Sequence, residues 1–338
     1  MIVDLRSALG SAMCIAALGA AACGGDTPLQ PPPPADAPRL VCPQPVTARS
    51  VDGEATAVTY PQVTLVGGQL PVTMACEPPS AELFPVGQTV VTCRVSDSLT
   101  RQDACSFTVT VEPPPRTTAT RFIAFGDSIS DGVLGFARFA VGDPGPPVGY
   151  AFKLKTLLQE RYTAQTFQMT DEGIPGESIT TGQARLAGAL SRDNPEVVLL
   201  FEGINDLNGA RDAAIPAVVN GLRSMIRTIK GRGMAPFVAT FLPQRRGAQR
   251  AFAVNTIVPA NEQVRAMVAA EGAVLVDLYP VFEPDIDTLI GPDGLHPTEA
   301  GYQKMAETFF ATIRERLETA PVLTTSSRFL HSPRRVER

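Results

Sequence analysis

The chain has 338 residues, 44% of them hydrophobic, and a formal net charge of -5. That length suffices for two domains, and the composition is typical of a globular protein. An acidic balance argues against binding to polyanions, so we expect no nucleic-acid partner.

The first 22 residues have the pattern of a secretory signal peptide. A short apolar run rich in small residues, ALGSAMCIAALGAAAC, is too short to predict a membrane span. Its end, LGAAACGGD, resembles a bacterial lipoprotein signal in which Cys23 is lipidated, although Ala20 stands where that pattern favours leucine. The alternative is plain cleavage after the three alanines that precede Cys23. We therefore expect an exported protein, either lipid-anchored in the bacterial cell envelope or secreted, with no other membrane contact.

A proline-rich spacer and a small β module follow the leader. Residues 23–38 include TPLQPPPPADAPR, which favours extended polyproline II structure. Residues 39–112 carry short alternating runs such as TVVTCRVSD and no helical period, which predicts an all-β module. This module holds an even set of cysteines, which in an exported chain predicts two disulfides with three connectivities open. They are Cys42, Cys76, Cys93 and Cys105.

Most of this module resembles the hyalin-repeat (HYR) family of immunoglobulin-like sandwiches. The run FPVGQTVVTCRVSDSLTRQDACSFTVTV carries the likeness, including Asp97 and the final Cys-x-Phe-x-Val. Thr100-Arg101 stands where the family usually has Gly-Asn, so a different turn is expected there. The resemblance implies the disulfides Cys42–Cys105 and Cys76–Cys93. We expect a spacer role, with contact to a glycan or a protein as the alternative.

Residues 119–319 predict an α/β domain. Its apolar runs are RFIAFGD, QTFQMTD, EVVLLFEG, PFVATFLP and AVLVDLYP. Helical patterns alternate with them: YAFKLKTLLQERY, AIPAVVNGLRSMIRTIK, NEQVRAMVAAEG and TEAGYQKMAETFFATIRERLE. Five strands alternating with helices indicate a parallel sheet covered on both faces, with its functional crevice beyond the carboxyl ends of the strands. The basic tail, residues 320–338, is predicted to be disordered.

A serine, a histidine and an aspartate in this domain have the pattern of a nucleophilic site. Ser128 follows the first strand, and the chain's two histidines are His296 and the tail's His331. Asp293 lies three residues before His296, a spacing that lets the carboxylate fix the imidazole tautomer on one turn of chain. Pro297 favours a loop conformation at His296 and suits the start of the following helix. We therefore predict that His296 takes the proton of Ser128.

Acyl transfer also needs hydrogen-bond donors for the developing oxyanion. The backbone N–H of Ser128 is one candidate. Gly176 is a second, because the absence of a side chain permits close approach to its N–H. The side-chain amide of Asn205 is a third. Asp206 is predicted to be a structural hydrogen-bonding residue.

Four segments, FGDSIS, GIPGES, GIND and DGLHP, resemble in order the four blocks of the SGNH or GDSL hydrolases. The resemblance implies a flavodoxin-like fold with a five-stranded parallel sheet flanked by helices. It also implies roles: nucleophile Ser128, base His296, orienting carboxylate Asp293, and oxyanion donors Ser128, Gly176 and Asn205. Ile129 departs from the leucine of the GDSL signature, and Asp171 or Glu172 stands where many members have asparagine. Either change is expected to affect the pocket rather than the proton path.

The expected activity is that of a carboxylic ester hydrolase acting on a small-molecule, lipid or glycan ester without cofactor or metal. Carbohydrate acetylesterase and lysophospholipase activities remain open within the same family. An alternative of another class is a cell-surface adhesion protein that binds through the HYR module. A glycosidase in which Asp127 or Asp131 faces Asp206 gives His296 no role. No P-loop, dinucleotide fingerprint or HExxH motif occurs in the sequence.

Overall fold

The computed structural model describes residues 36–135 and 148–319. The predicted leader, Cys23, most of the proline-rich spacer and the basic tail lie outside these ranges. No helix of the described residues is long and apolar enough to cross a membrane.

Within residues 36–112, strands account for all of the regular structure. They are β1 (Arg39–Val41), β2 (Val46–Arg49), β3 (Thr56–Ala57), β4 (Thr64–Val66), β5 (Thr73–Glu77), β6 (Leu83–Phe84), β7 (Gly87–Ser96) and β8 (Gln102–Glu112). β2, β8, β7 and β5 form one sheet in that order, and the pairs β1–β4 and β3–β6 are separate two-stranded sheets. This region fits the predicted all-β module.

The long strand β7 shows why the module folds as a sheet with one covered face. Val91, Cys93 and Val95 alternate along it and are buried, while the residues between them face outward. Tyr60 and Phe107 pack edge to face in the same core, with ring centroids 4.9 Å apart. The disulfides are Cys42–Cys105 and Cys76–Cys93, the pairing that the HYR resemblance implied.

Strands and helices alternate through most of the C-terminal domain. Its strands are β9 (Arg116–Thr117), β10 (Arg121–Gly126), β11 (Gln168–Gly173), β12 (Val197–Phe201), β13 (Ala235–Ala239), β14 (Val274–Val276) and β15 (Glu318–Thr319). Its α-helices are α1 (Tyr150–Arg161), α2 (Ile179–Asp193), α3 (Ile204–Ala210), α4 (Ile215–Gly231), α5 (Ile257–Glu271), α6 (Tyr279–Phe282), α7 (Ile286–Leu289) and α8 (Glu299–Leu317). Two 3₁₀ turns cover Arg211–Ala214 and Glu283–Asp285.

The central sheet is parallel and has the strand order β11-β10-β12-β13-β14. α1 packs against α8, while α4 packs against α2 and α5. Because crossovers between parallel strands are right-handed, these two groups of helices lie on opposite faces of the sheet. The residues of β12 are all buried, as expected for a strand covered on both faces.

The chain leaves β10 toward one edge of the sheet, to β11, and then returns to β12 on the other side of β10. β10 therefore lies at the point where the strand order reverses. In open α/β sheets the crevice for ligands lies at this point, beyond the carboxyl ends of the strands. Ser128 comes two residues after the end of β10.

The predicted strands occur in the predicted order, with one shifted boundary and one additional helix. The run QTFQMTD predicts a strand from Gln165, but β11 begins at Gln168 and continues to Gly173. The helix α2 is not among the predicted helices. Its residues ITTGQARLAGALSRD include two threonines and two glycines, which have low helix propensity, yet it buries Leu186 and Leu190. Tertiary packing thus outweighs local propensity in α2.

Candidate active site

Ser128 lies in a tight turn that follows β10. The N–H of Asp131 donates to the carbonyl oxygen of Asp127 at 3.1 Å, and the N–H of Val133 donates to the carbonyl oxygen of Ser128 at 2.9 Å. Only 5% of Ser128 is exposed. Its hydroxyl is therefore held in one place at the carboxyl end of the sheet.

The structure brings together three of the predicted site residues. Ser128 Oγ lies 2.8 Å from His296 Nε2, although 168 residues separate them in the chain. His296 Nδ1 lies 2.6 Å from Asp293 Oδ2. Asp293 Oδ1 accepts hydrogen bonds from the N–H groups of Leu295 and His296, each at 3.0 Å. Hydroxyl, imidazole and carboxylate thus form one continuous chain of hydrogen bonds.

The environment of Asp293 favours its charged form. Burial raises its pKa, but hydrogen bonds from the His296 ring and from the N–H groups of Leu295 and His296 lower it by more. The pKa of this carboxyl therefore lies below its ordinary value. An ionised Asp293 can accept the Nδ1 proton of His296 and leave Nε2 free to take a proton from Ser128.

Two loops meet backbone to backbone around His296. Gly135 donates to the carbonyl oxygen of Pro297 at 3.1 Å and accepts from the N–H of Asp293 at 3.2 Å. A Cβ added at Gly135 would lie 2.6 Å from the carbonyl oxygen of His296. This close approach requires glycine, and it fixes the loop that follows Ser128 against the loop that carries the imidazole.

The two remaining oxyanion candidates lie on neighbouring segments that are joined by a hydrogen bond. Gly176, in the loop between β11 and α2, has a φ of 79°. The side-chain Nδ2 of Asn205, on α3, donates to the carbonyl oxygen of Glu177 at 2.9 Å. The side-chain nitrogen of asparagine carries two hydrogens, so this bond uses one of them and leaves the second.

Comparison with known proteins places this constellation in a family. Residues 124–304 match the model of the GDSL-like Lipase/Acylhydrolase family, a range that includes Ser128, Gly176, Asn205, Asp293 and His296. The chain belongs to this family. Residues 35–111 match the HYR domain.

Similar proteins include an esterase, by sequence, and a lipase/acylhydrolase of known structure. Esterase TesA of Pseudomonas aeruginosa is 25% identical over 201 residues, which cover 59% of this chain and 90% of that protein. The lipase/acylhydrolase from Enterococcus faecalis superimposes with a TM-score of 0.50 at 23% identity, over 59% of this chain and 97% of that one. This structural likeness shows that the GDSL-like domain has the same fold.

A cluster of buried acids beside the nucleophile was not anticipated from the sequence. Asp127, Glu177 and Glu202 are 0%, 4% and 1% exposed. Burial, with the charges of Glu177 and Asp206 nearby, raises the pKa of Asp127 to about 7. A hydrogen bond from the N–H of Ile129 lowers this pKa, but by less. Burial, with the charges of Asp127 and Glu177 nearby, raises the pKa of Glu202 to about 10. One signal of this cluster is visible in the sequence, since the ionisable residue Glu202 directly follows the apolar run VVLLF.

Other polar residues of the GDSL-like domain have structural contacts. Asp206 Oδ2 accepts from the N–H of Ile179 at 2.8 Å, at the start of α2, which supports the predicted structural role. Ser178 caps α2 by accepting from the N–H of Thr181. Ser130 Oγ is buried 3.3 Å from the hydroxyl of Tyr150. Among the described residues, no group of three or more His, Cys, Asp or Glu side chains is arranged to hold a metal ion.

Proposed function

We propose that the protein is an exported serine esterase in which Ser128, His296 and Asp293 hydrolyse carboxylic esters through an acyl-enzyme. The observation that carries this proposal is the continuous chain of contacts, 2.8 Å from Ser128 Oγ to His296 Nε2 and 2.6 Å from His296 Nδ1 to Asp293 Oδ2. Membership of the GDSL-like lipase/acylhydrolase family supports hydrolysis of esters as the reaction class.

In the first half-reaction, Ser128 Oγ bonds to the ester carbonyl carbon while its proton passes to His296 Nε2. The carbonyl oxygen becomes an oxyanion, which the N–H groups of Ser128 and Gly176 and the amide of Asn205 stabilise. When this intermediate collapses, the carbon–oxygen bond to the alcohol breaks. His296 gives its proton to the departing alcohol, and the acyl group remains on Ser128.

In the second half-reaction, water replaces the alcohol. The water oxygen bonds to the acyl carbon while one of its protons passes to His296. Collapse of the second tetrahedral intermediate breaks the bond to Ser128 Oγ, which recovers a proton from His296. The carboxylic acid leaves, and Asp293 keeps the imidazole oriented throughout.

The class of ester is a further part of the proposal. Acyl esters of small molecules or glycans and the acyl ester of a lysophospholipid all fit this mechanism, because the reacting groups touch only the ester carbon and oxygens. We favour esters of extracellular material, because two disulfides in the β module suit an oxidising compartment. Lipidation of Cys23, or cleavage before it, completes the proposed export.

The test is hydrolysis of p-nitrophenyl acetate and butyrate by the purified chain, by Ser128→Ala and by Ser130→Ala. Ser130→Ala is the matched control, since it removes a buried hydroxyl from the same turn. We expect Ser128→Ala to lose activity by about a thousandfold or more and Ser130→Ala to stay within about tenfold of the wild-type rate. Equal rates for the wild type and Ser128→Ala would overturn the proposal.

A further inference from the structure

Arg185, on α2, joins the ends of two neighbouring strands. Its Nε lies 2.8 Å from each carboxylate oxygen of Glu177, and its Nη1 lies 3.0 Å from Glu172 Oε2. Its Nη2 donates to the carbonyl oxygens of Gly126, at 3.2 Å, and Glu172, at 2.6 Å. The guanidinium also lies 3.9 Å from the ring centroid of Phe125. One side chain thus connects the end of β10, the end of β11 and the loop that follows β11.

Glu177 connects this arginine to both remaining oxyanion candidates. It directly follows Gly176 in the chain, and its carbonyl oxygen accepts from Asn205 Nδ2 at 2.9 Å. Its carboxylate is bound to Arg185, and 1% of its side chain is exposed. The backbone of Glu177 is therefore fixed from one side by Asn205, while its side chain is fixed by Arg185.

Apolar packing does not hold Gly176 in place. A Cβ added at Gly176 would meet no atom of the described residues within 4 Å, and glycine can adopt many backbone conformations besides the φ of 79° that it has here. The loop is held by hydrogen bonds: Ile174 donates to the carbonyl oxygen of Gly126 at 2.9 Å, and Glu177 donates to that of Ile174 at 3.1 Å. Arg185 binds the same Gly126 oxygen. The direction of the Gly176 N–H therefore depends on this polar network.

We propose that Arg185 and Glu177 are positioning residues for the oxyanion hole, holding Gly176 and Asn205 where the developing negative charge appears. This inference rests on the proposed function. Neither side chain touches the substrate. They act by orienting donors, so their removal weakens binding of the transition state more than binding of the ester.

The test compares Arg185→Met with Arg192→Met in the full chain. Arg192 lies on the same helix and also pairs with Glu172, but 59% of its side chain is exposed, against 20% for Arg185. We expect kcat to fall about ten- to hundredfold in Arg185→Met with KM within about threefold of wild type. Affinity for a boronic acid that forms a tetrahedral adduct with serine is expected to fall in parallel. Arg192→Met should match the wild type in kcat, KM and boronate affinity.

A second variant keeps the test decisive if Arg185→Met does not fold. Glu177→Gln retains the size of the side chain and the backbone carbonyl oxygen that Asn205 binds. It removes the negative charge that pairs with Arg185. We expect a smaller loss of kcat, again at nearly constant KM. In the double variant the loss should be no larger than in Arg185→Met alone, within about twofold, because both changes break one contact.

The outcomes separate this inference from the proposed function. Folded Arg185→Met and Glu177→Gln proteins with wild-type kcat and boronate affinity would overturn the positioning role. Loss of affinity for ester and boronate alike, seen as a raised KM with unchanged kcat, would also overturn it. Activity that survives in Ser128→Ala would instead defeat the proposed function.

Discussion

In the β module, the carboxylate of Asp97 accepts hydrogen bonds from three backbone N–H groups and from a guanidinium. In the GDSL-like domain, by contrast, Glu202 Oε2 is buried without a hydrogen-bond partner among the described residues. Burial raises the pKa of Asp97, but its hydrogen bonds with Arg101 and Gln69 lower it by more, to about 2. The pKa of Glu202 is raised to about 10.

The difference shows how each region uses a buried acid. Asp97 closes a turn, and its carboxylate is satisfied by donors of that turn together with the N–H of Gln69. The Oε1 atom of Glu202 accepts from the N–H of Gly203 at 3.0 Å, but its Oε2 has no partner among the described residues, and burial of an unpaired polar atom costs stability. Carboxyls with strongly raised pKa values are typical of functional sites, and Glu202 lies in the domain that holds the proposed chemistry.

The largest expected effect is confined to the GDSL-like domain. Replacing His296 by alanine should lower kcat/KM for p-nitrophenyl acetate by about a thousandfold or more, because Ser128 loses its base. Hydrogen exchange of the β module, measured by mass spectrometry, should be unchanged. Residual activity above about a tenth of wild type would contradict the role of His296.

A smaller loss is expected at the oxyanion hole. Asn205→Ala should reduce kcat by about a hundredfold, because one donor to the oxyanion is removed. Steady-state kinetics with the same esters measure the effect, and Asn208→Ala, one turn along α3, is the control. A change in kcat of less than about threefold would remove Asn205 from the hole.

The β module is expected to lose stability without loss of catalysis. Replacing Cys42 and Cys105 by serine opens a loop closed across 63 residues and should lower the free energy of unfolding of the module by roughly 2–4 kcal/mol. Region-resolved hydrogen exchange measures that loss, and ester hydrolysis measures catalysis. A parallel fall in kcat would show that the module supports the active site.

The last expected effect is a difference in pH dependence between the two regions. Because the folded-state pKa of Glu202 is raised, the folded state keeps a proton that the unfolded state loses. The contribution of Glu202 to the free energy of unfolding of the wild type therefore falls as pH rises from about 5 to 10. The folded-state pKa of Asp97 is depressed to about 2, so its contribution is lost as pH falls from about 4 to 2.

Thermal unfolding of two variants isolates these two groups. The stability of Glu202→Gln relative to wild type should increase as pH rises between about 5 and 10. The deficit of Asp97→Asn relative to wild type should shrink as pH falls from about 4 to 2. Equal pH dependence in a variant and the wild type would contradict the titration assigned to that residue.

Features set by short-range patterns were predictable from the sequence. The Asp293-x-x-His296 spacing joins carboxylate and imidazole within one turn, so that contact followed from a local rule. The contact of Ser128 with His296 spans 168 residues and was predicted instead because His296 is the one histidine in the sequence of this domain. The four-block resemblance then supplied Gly176 and Asn205. The disulfide pairing also came from resemblance, because four cysteines alone leave three connectivities open.

The Arg185 network was not predictable in the same way. Glu177 and Arg185 lie eight residues apart across a loop and a helix with low helix propensity, so no local spacing brings them together. Gly126, to whose carbonyl oxygen Arg185 donates, lies 59 residues away from it. Such contacts depend on the strand order of the sheet, which places the ends of β10 and β11 side by side.

The most direct test that Ser128 is the nucleophile is to locate the covalent adduct that a fluorophosphonate forms with the protein. After reaction and proteolysis, tandem mass spectrometry should place the phosphonyl group on Ser128 and not on Ser130. The adduct should be absent in Ser128→Ala and should form far more slowly in His296→Ala, since the hydroxyl then lacks its base. A wild-type protein that hydrolyses esters while carrying its adduct on another residue would contradict the proposed mechanism.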